Sequence, residues 1–152
     1  MKYYATIIII VIIDQISKLV VRMNMYEGQS IQVIGKFFQI THIRNDGAAF
    51  SMLSGQRVFL IIVPIIAVGI ALWYMIKHMK TDHFTLSLAL SFIISGGIGN
   101  LIDRVVFGSV TDMFDFSIFP PVFNIADIAV CVGCGLLFLF VLVFDGAKNG
   151  AK

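Results

Sequence analysis

Apolar residues run almost unbroken through four stretches of the chain, Tyr3–Asn24, Val58–Ile76, Phe84–Val106 and Val122–Phe144. A helix crossing a bilayer needs about 20 such residues, so each stretch predicts a membrane span. Between the first two spans the pattern changes. "QSIQVIGKFFQITHIRNDGAAFS", within residues 25–56, is β-rich with alternating runs and is punctuated by Gly28, Gly35 and Gly47, which predicts a small sheet or hairpin at the membrane surface. Residues 107–121 contain "GSVTDMFDFSIFPP", where Pro120 and Pro121 stop a helix and lead into the fourth span; a loop is expected there. The remaining link, Lys77 to His83, is short and polar, as in a tight helix hairpin. No internal repeat or low-complexity linker interrupts this order. The pattern therefore predicts an all-α integral membrane protein, four transmembrane helices with a small β-sheet or hairpin segment, forming a single membrane domain over residues 1–152.

Composition agrees: 59% of the 152 residues are hydrophobic, against roughly 45–50% in soluble domains, and mean hydropathy is +0.95. The first span is too long for a secretory h-region and is interrupted by Asp14 and Lys18, so it reads as a retained helix. A net charge of +2 with scattered Lys and Arg argues against nucleic-acid binding. The basic residues do suggest a topology. Lys2, Lys77, Lys80, Lys148 and Lys152 fall on one side of a four-span arrangement, and Lys36, Arg44 and Arg57 on the other, over a longer segment. By the positive-inside rule both termini face the cytoplasm, which makes residues 25–56 and 107–121 extracytoplasmic. Cys131 and Cys134 form a CxxC inside the fourth span without a second pair or a nearby His; they are expected to serve as small helix-packing residues.

Ionisable groups inside spans cost roughly 2.5–3.5 kcal/mol at mid-bilayer on insertion scales and so mark candidate functional sites. Here they are Asp14, Lys18, Asp103, Arg104 and Asp127, accompanied by Asn100 and Asn124. At about 1.5 Å rise per residue all fall in the outer leaflet, converging from three helices. Simpler roles compete for several of them. Asp14 and Lys18, one helical turn apart, can form a structural ion pair. Arg22 can snorkel to the interface, Asn100 can serve as an interhelical hydrogen-bonding group, and Asp103 can be compensated by Arg104 or another cation. Asp127 has no cation within one turn of its own helix, so its partner must come from elsewhere or it must be protonated part of the time. Two carboxyl groups sharing a proton could hydrolyse an amide without metal or covalent intermediate. No Ser/His or Cys/His arrangement competes, and HExxH is absent. Spacing leaves Asp103, Asp112 and Asp115 as alternative partners for Asp127. A small proton-coupled transporter is the rival reading; it would need polar residues continuing across the bilayer, which the second span and the inner half of the fourth lack.

Taken in order, "DQISK" (14–18), "RNDGAAFS" (44–51), "GNLIDRV" (99–105), "GSVTDMFDF" (108–116) and "FNIADIAV" (123–130) resemble the lipoprotein signal peptidases, the bacterial signal peptidase II family. The resemblance covers nearly the whole chain. It implies a multi-pass aspartic endopeptidase of the bacterial cytoplasmic (inner) membrane that removes signal peptides from prolipoproteins, cutting before a cysteine that already carries diacylglycerol. The family is the target of the antibiotic globomycin. The resemblance further implies Asp112 and Asp127 as the catalytic pair, with Asp14, Lys18, Asn45, Gly47, Asn100, Arg104 and Asn124 lining or supporting the site and Asp103 and Asp115 as auxiliary acids. No metal or other cofactor is expected. The implied partners are lipid-modified prolipoproteins and membrane lipids, and the expected state is a monomer. Thr111 and Met113 depart from the apolar or aromatic neighbours usual around Asp112 in the family.

Overall fold

The computed structural model describes residues 2–47, 55–78 and 83–145. Its elements are helix α1 (Lys2–Asn24), strands β1 (Ser30–Ile34) and β2 (Phe38–Asn45), helices α2 (Arg57–His78) and α3 (Phe84–Val106), strands β3 (Val110–Phe116) and β4 (Phe119–Phe123), and helix α4 (Ile125–Phe140), which continues as a π-helical turn over Val141–Asp145. All four helices are long and apolar enough to cross a membrane. Residues 48–54, part of the expected β-rich segment, and 79–82, within the expected helix hairpin, lie outside the described residues.

Contacts at the helix ends fix how the bundle runs. Lys2 Nζ lies 4.8 Å from the centre of the Phe84 ring, and His83 meets Phe140 at 5.8 Å, so the starts of α1 and α3 and the end of α4 share one end of the bundle. At the other end Arg57 donates to the carbonyls of Arg104 (3.0 Å) and Val105 (3.2 Å), covering acceptors that the last turn of α3 leaves without helical partners.

Helix α3 packs against all three other helices. Its small residues permit close approach: a Cβ on Gly96 would collide with the Ala126 carbonyl oxygen and with Val130, and one on Gly99 would lie 2.6 Å from the Asp14 carboxylate. Gly133 of α4 is equally confined, because a Cβ there would stand 2.8 Å from Ala89 O. With no hydrophobic drive between helices in lipid, such small residues let the backbones pack closely. Small residues of α3 thus serve close helix packing. The cysteines do not: Cys131 and Cys134 are exposed, on the outer face of α4, and the packing contact is made by Gly133 between them.

The largest departure concerns residues 107–121. Expected to form a loop, they contribute β3 and most of β4, completing one four-stranded antiparallel sheet in the order β1-β2-β3-β4. The four helices and the small sheet expected from the sequence are present, but the sheet takes its strands from two separate links and not from residues 25–56 alone. Helix α4 starts at Ile125, three residues later than expected, since Val122 and Phe123 still belong to β4. Pro120 and Pro121 conceal this strand in the sequence, because a proline cannot donate to a ladder; it is tolerated here because β4 is an edge strand. An aromatic cluster secures the sheet, with Phe38 stacked on Phe116 at 4.5 Å and Phe116 facing Phe123 at 5.9 Å. On β3, Val110 to Met113 are all buried, and Met113 packs with Val21 and Met25 of α1 and its continuation. That packing carries Asp112 to the ends of α1, α3 and α4.

Candidate active site

Asn124 is where the site begins. Its extended backbone ends β4, and its side chain caps α4 by accepting from Asp127 N–H at 2.9 Å. Asp127 answers by accepting from Asn124 N–H at 3.2 Å, completing a reciprocal capping box. Asn124 Nδ2 points the other way and donates to Asp112 Oδ1 at 2.6 Å and to Asn100 Oδ1 at 3.2 Å. One fully buried asparagine therefore contacts both Asp112 and Asp127.

Each aspartate has a second fixed donor. Asn100 Nδ2 donates to Asp127 Oδ1 at 2.7 Å, and Asn45 Nδ2 donates to Asp112 Oδ2 at 3.0 Å. The orientation of both amides follows from their other bonds. Asn100 Oδ1 accepts from Lys18 Nζ at 3.0 Å, and Asn45 Oδ1 accepts from Gly47 N–H at 2.9 Å, so in each case the NH2 group must face the carboxylate.

Behind the pair lies a buried ionic layer. Lys18 Nζ sits 3.0 Å from Asp14 Oδ2 and 3.5 Å from Asp103 Oδ2, all three side chains fully buried. Asp14 Oδ1 also accepts from Ala126 N–H at 2.9 Å, so a residue of α1 helps cap α4. The expected Asp14–Lys18 pair exists, but it joins three helices instead of neutralising one helix face. Asp103 is compensated by Lys18, by Arg22 at 3.4 Å and by the Thr111 N–H at 3.0 Å. Arg22 does not simply snorkel: it binds Asp103 and Thr111 Oγ1, with its guanidinium 4.2 Å from the centre of the Phe107 ring. Buried ions of this kind persist only when paired and hydrogen-bonded.

Asp112 is 2% exposed, and its carboxyl is pushed up to about 6, first by burial and then by the charge of Asp127. The Asn45 and Asn124 bonds and the charge of Lys18 pull in the opposite direction. Arg104 Nη2 donates to the Gly47 carbonyl at 2.9 Å, while its buried Nε has no partner among the described residues. Among those residues no group of three or more His, Cys, Asp or Glu side chains is placed to hold a metal ion.

The residues singled out in the sequence thus meet in one network: Asp14, Lys18, Asn45, Asn100, Asp112, Asn124 and Asp127 directly, with Gly47 and Arg104 joined to each other beside it. Asp115 is elsewhere, accepting from Thr41 Oγ1 at 3.0 Å on the sheet. Gln15 escaped sequence reading. Its Nε2 lies within 3.0 Å of Asp14, 3.1 Å of the Gly99 carbonyl and 3.2 Å of Asp103, tying α1 to α3. A polar residue between Asp14 and Lys18 in an apolar run was the available signal.

The family model for signal peptidase (SPase) II matches residues 6–143. The chain belongs to the signal peptidase II family. It is 38% identical over 155 aligned residues to the lipoprotein signal peptidase of Listeria monocytogenes serotype 4a, with both chains covered completely. To that of Halothermothrix orenii it is 41% identical over 138 residues, 91% of this chain and 93% of the relative. A bacterial membrane enzyme solved by the in meso method at 2.3 Å superposes with a TM-score of 0.86 at 32% identity, covering 99% of this chain and 92% of its own. As a signal peptidase II, the chain brings its polar groups together at one end of the bundle, where α1 and α3 finish and α4 begins.

Proposed function

We propose that this membrane peptidase cleaves diacylglyceryl-modified prolipoproteins immediately before the lipidated cysteine, with Asp112 and Asp127 as an aspartic catalytic pair. The observation that carries this reading is the asparagine that touches both carboxyl groups: Asn124 bonds Asp112 through its amide and Asp127 through its backbone N–H. Family membership supports prolipoprotein processing as the activity.

In the proposed cycle the two carboxyl groups hold one proton between them, carried by Asp112 before attack; burial and the charge of Asp127 raise that carboxyl above its ordinary value. Asp127, at the positive N-terminus of α4, is the ionised base. It takes a proton from water as the oxygen attacks the scissile carbonyl carbon, while Asp112 gives its proton to the carbonyl oxygen, leaving a gem-diol. Asp127 then protonates the departing amine as the carbon–nitrogen bond breaks, and Asp112 recovers a proton from one diol hydroxyl. Asn45, Asn100 and Asn124 hold the two carboxyl groups, Lys18 and Asp14 fix the frame behind them, and Arg104 offers its unused N–H to the substrate. The outer sheet, whose strand β2 leads to Gly47 held by Arg104, covers the substrate.

The chain is a single membrane domain with both termini in the cytoplasm. Its sheet and reacting groups then lie at the outer surface, where a lipid-anchored substrate presents its cleavage site. The absence of ionisable residues along the middle of α2 supports a one-sided site over a relay across the bilayer. The test is to offer purified protein a prolipoprotein with and without its diacylglyceryl group. Cleavage of the modified form alone, exposing the lipidated cysteine, is the expected result. Equal cleavage of both forms would refute the lipid requirement, and no cleavage of either by folded protein would refute the activity.

A further inference from the structure

A second polar recess, distinct from the aspartate pair, lies where the end of α1 meets the sheet. It encloses about 270 Å³ and is lined by Arg22, Glu27, His42, Arg44, Phe107, Ser109 and Thr111, two guanidinium groups against one carboxylate. That volume is near the lower limit for small-molecule pockets, about 300 Å³, and suits a headgroup-sized ligand.

Its chemistry is that of an incomplete anion site. Arg44 donates Nε to Ser109 Oγ at 3.0 Å and Nη2 to the Phe107 carbonyl at 3.1 Å, and has no carboxylate partner among the described residues. Arg22 shares Asp103 with Lys18 and donates to Thr111 Oγ1 at 3.1 Å. Ser109 and Thr111 accept these bonds, which leaves their own O–H groups to donate. A planar guanidinium with unspent N–H groups beside free hydroxyl donors matches the oxygens of a phosphate.

His42 adds a second requirement. Its Nδ1 lies 3.0 Å from the Met25 carbonyl, which can only accept, so Nδ1 carries the hydrogen. In the neutral ring Nε2 is then an acceptor, and it is buried with no partner among the described residues; His42 as a whole is 7% exposed. A buried acceptor left without a donor is costly, which points to a ligand that supplies one.

We propose that this recess binds a phosphate that carries a hydroxyl-bearing substituent, the chemistry shared by a phosphoglycerol lipid headgroup and free glycerol phosphate. The phosphate meets Arg22, Arg44 and the two hydroxyls, and the substituent hydroxyl donates to His42 Nε2. The recess adjoins the helix ends, the level at which lipid headgroups lie, which favours the lipid as source.

Calorimetric titration of the full chain in a neutral maltoside detergent tests this with dihexanoylphosphatidylglycerol, dihexanoylphosphatidylcholine and glycerol phosphate. The readout is binding, so it is independent of whether the chain cleaves prolipoprotein. Phosphatidylglycerol is expected to bind several-fold more tightly than phosphatidylcholine, whose headgroup carries the same phosphate but has no hydroxyl to donate to His42 Nε2. Arg44→Gln, at an exposed position, should weaken binding of both lipids about tenfold, the equivalent of one charge-assisted contact to the phosphate, while the melting curve stays unchanged; Ser109→Ala, a milder variant, should weaken it several-fold. Glycerol phosphate binding as tightly as the lipid would uphold the site and identify the soluble ligand as its source. Equal affinity for the two lipids, or an Arg44→Gln and Ser109→Ala pair that both bind like wild type, would overturn the proposal.

Discussion

Helices α2 and α3 are nearly matched in length, 22 and 23 residues, yet they are built for different surroundings. Most of α2 faces outward: Val58 is 70% exposed, Ile70 62% and Ile76 67%, and only 17% of its most apolar window is buried. In α3 the buried share is 44%, and the buried positions include Ser87, Ser91, Ser95, Gly96, Gly99 and Asp103. Hydropathy follows the same division, 2.6 for α2 against 1.7 for α3. The more apolar helix is the one lipid solvates, whereas the helix at the centre gives up hydropathy for small residues that let neighbours approach and for polar groups that join them. The candidate site belongs to the second kind of surface.

Substitutions along the two helices and their partners should therefore differ sharply in effect. Lys18→Met removes the one cation between Asp14 and Asp103 within the α1–α3–α4 junction, leaving a buried negative charge. Loss of one partner from such a group costs about 3–5 kcal/mol, to be read from reversible unfolding in mixed micelles. A loss below about 1 kcal/mol would mean that the ionic layer does not hold the helices together.

The next effect depends on pH. Because the Asp112 carboxyl is raised from 3.8 to about 6 in the folded protein, the folded state binds its proton more tightly than the unfolded state does. Folding then carries no penalty from Asp112 below about pH 4, and a penalty that grows through the interval and is complete above about pH 6. A shift of about two units corresponds to roughly 3 kcal/mol. Stability of the wild type should fall by up to that amount between pH 4 and 7 relative to Asp112→Asn, which cannot titrate there. Parallel curves would place Asp112 in an ordinary aqueous environment. At the small end, Ile66→Val on the outward face of α2, where Ile66 is 55% exposed, should change stability by less than about 0.5 kcal/mol.

Much of this division was legible in the sequence because membrane burial writes long apolar runs, and because ionisable residues within them are conspicuous. Asp14, Lys18, Asn100, Arg104 and Asp127 could be placed at one depth from helical rise alone. Asp112 could not be chosen over Asp103 and Asp115 by spacing, since the choice is made by strand register. Asp112 pairs with Ile43 across the β2–β3 ladder after an irregularity between Ile40 and Ile43, while Asp115 pairs with Gln39. Only the family resemblance singled it out. Strand β4 was hidden by its prolines, and Gln15 was overshadowed by the charged residues on either side of it, Asp14 and Lys18. The pocket around Arg44 and His42 draws on residues distant in sequence, so nothing local marked it.

The central claim is that Asp112 and Asp127 act together on water. Its most direct test is single-turnover cleavage of diacylglyceryl-modified prolipoprotein by wild type, Asp112→Asn and Asp127→Asn, each shown to be folded by its melting curve. The asparagines keep the shape of the carboxyl groups and lose the proton chemistry. Each variant should be slower by about 10³-fold or more. A folded variant of either kind that cleaves within tenfold of wild type would contradict the pair.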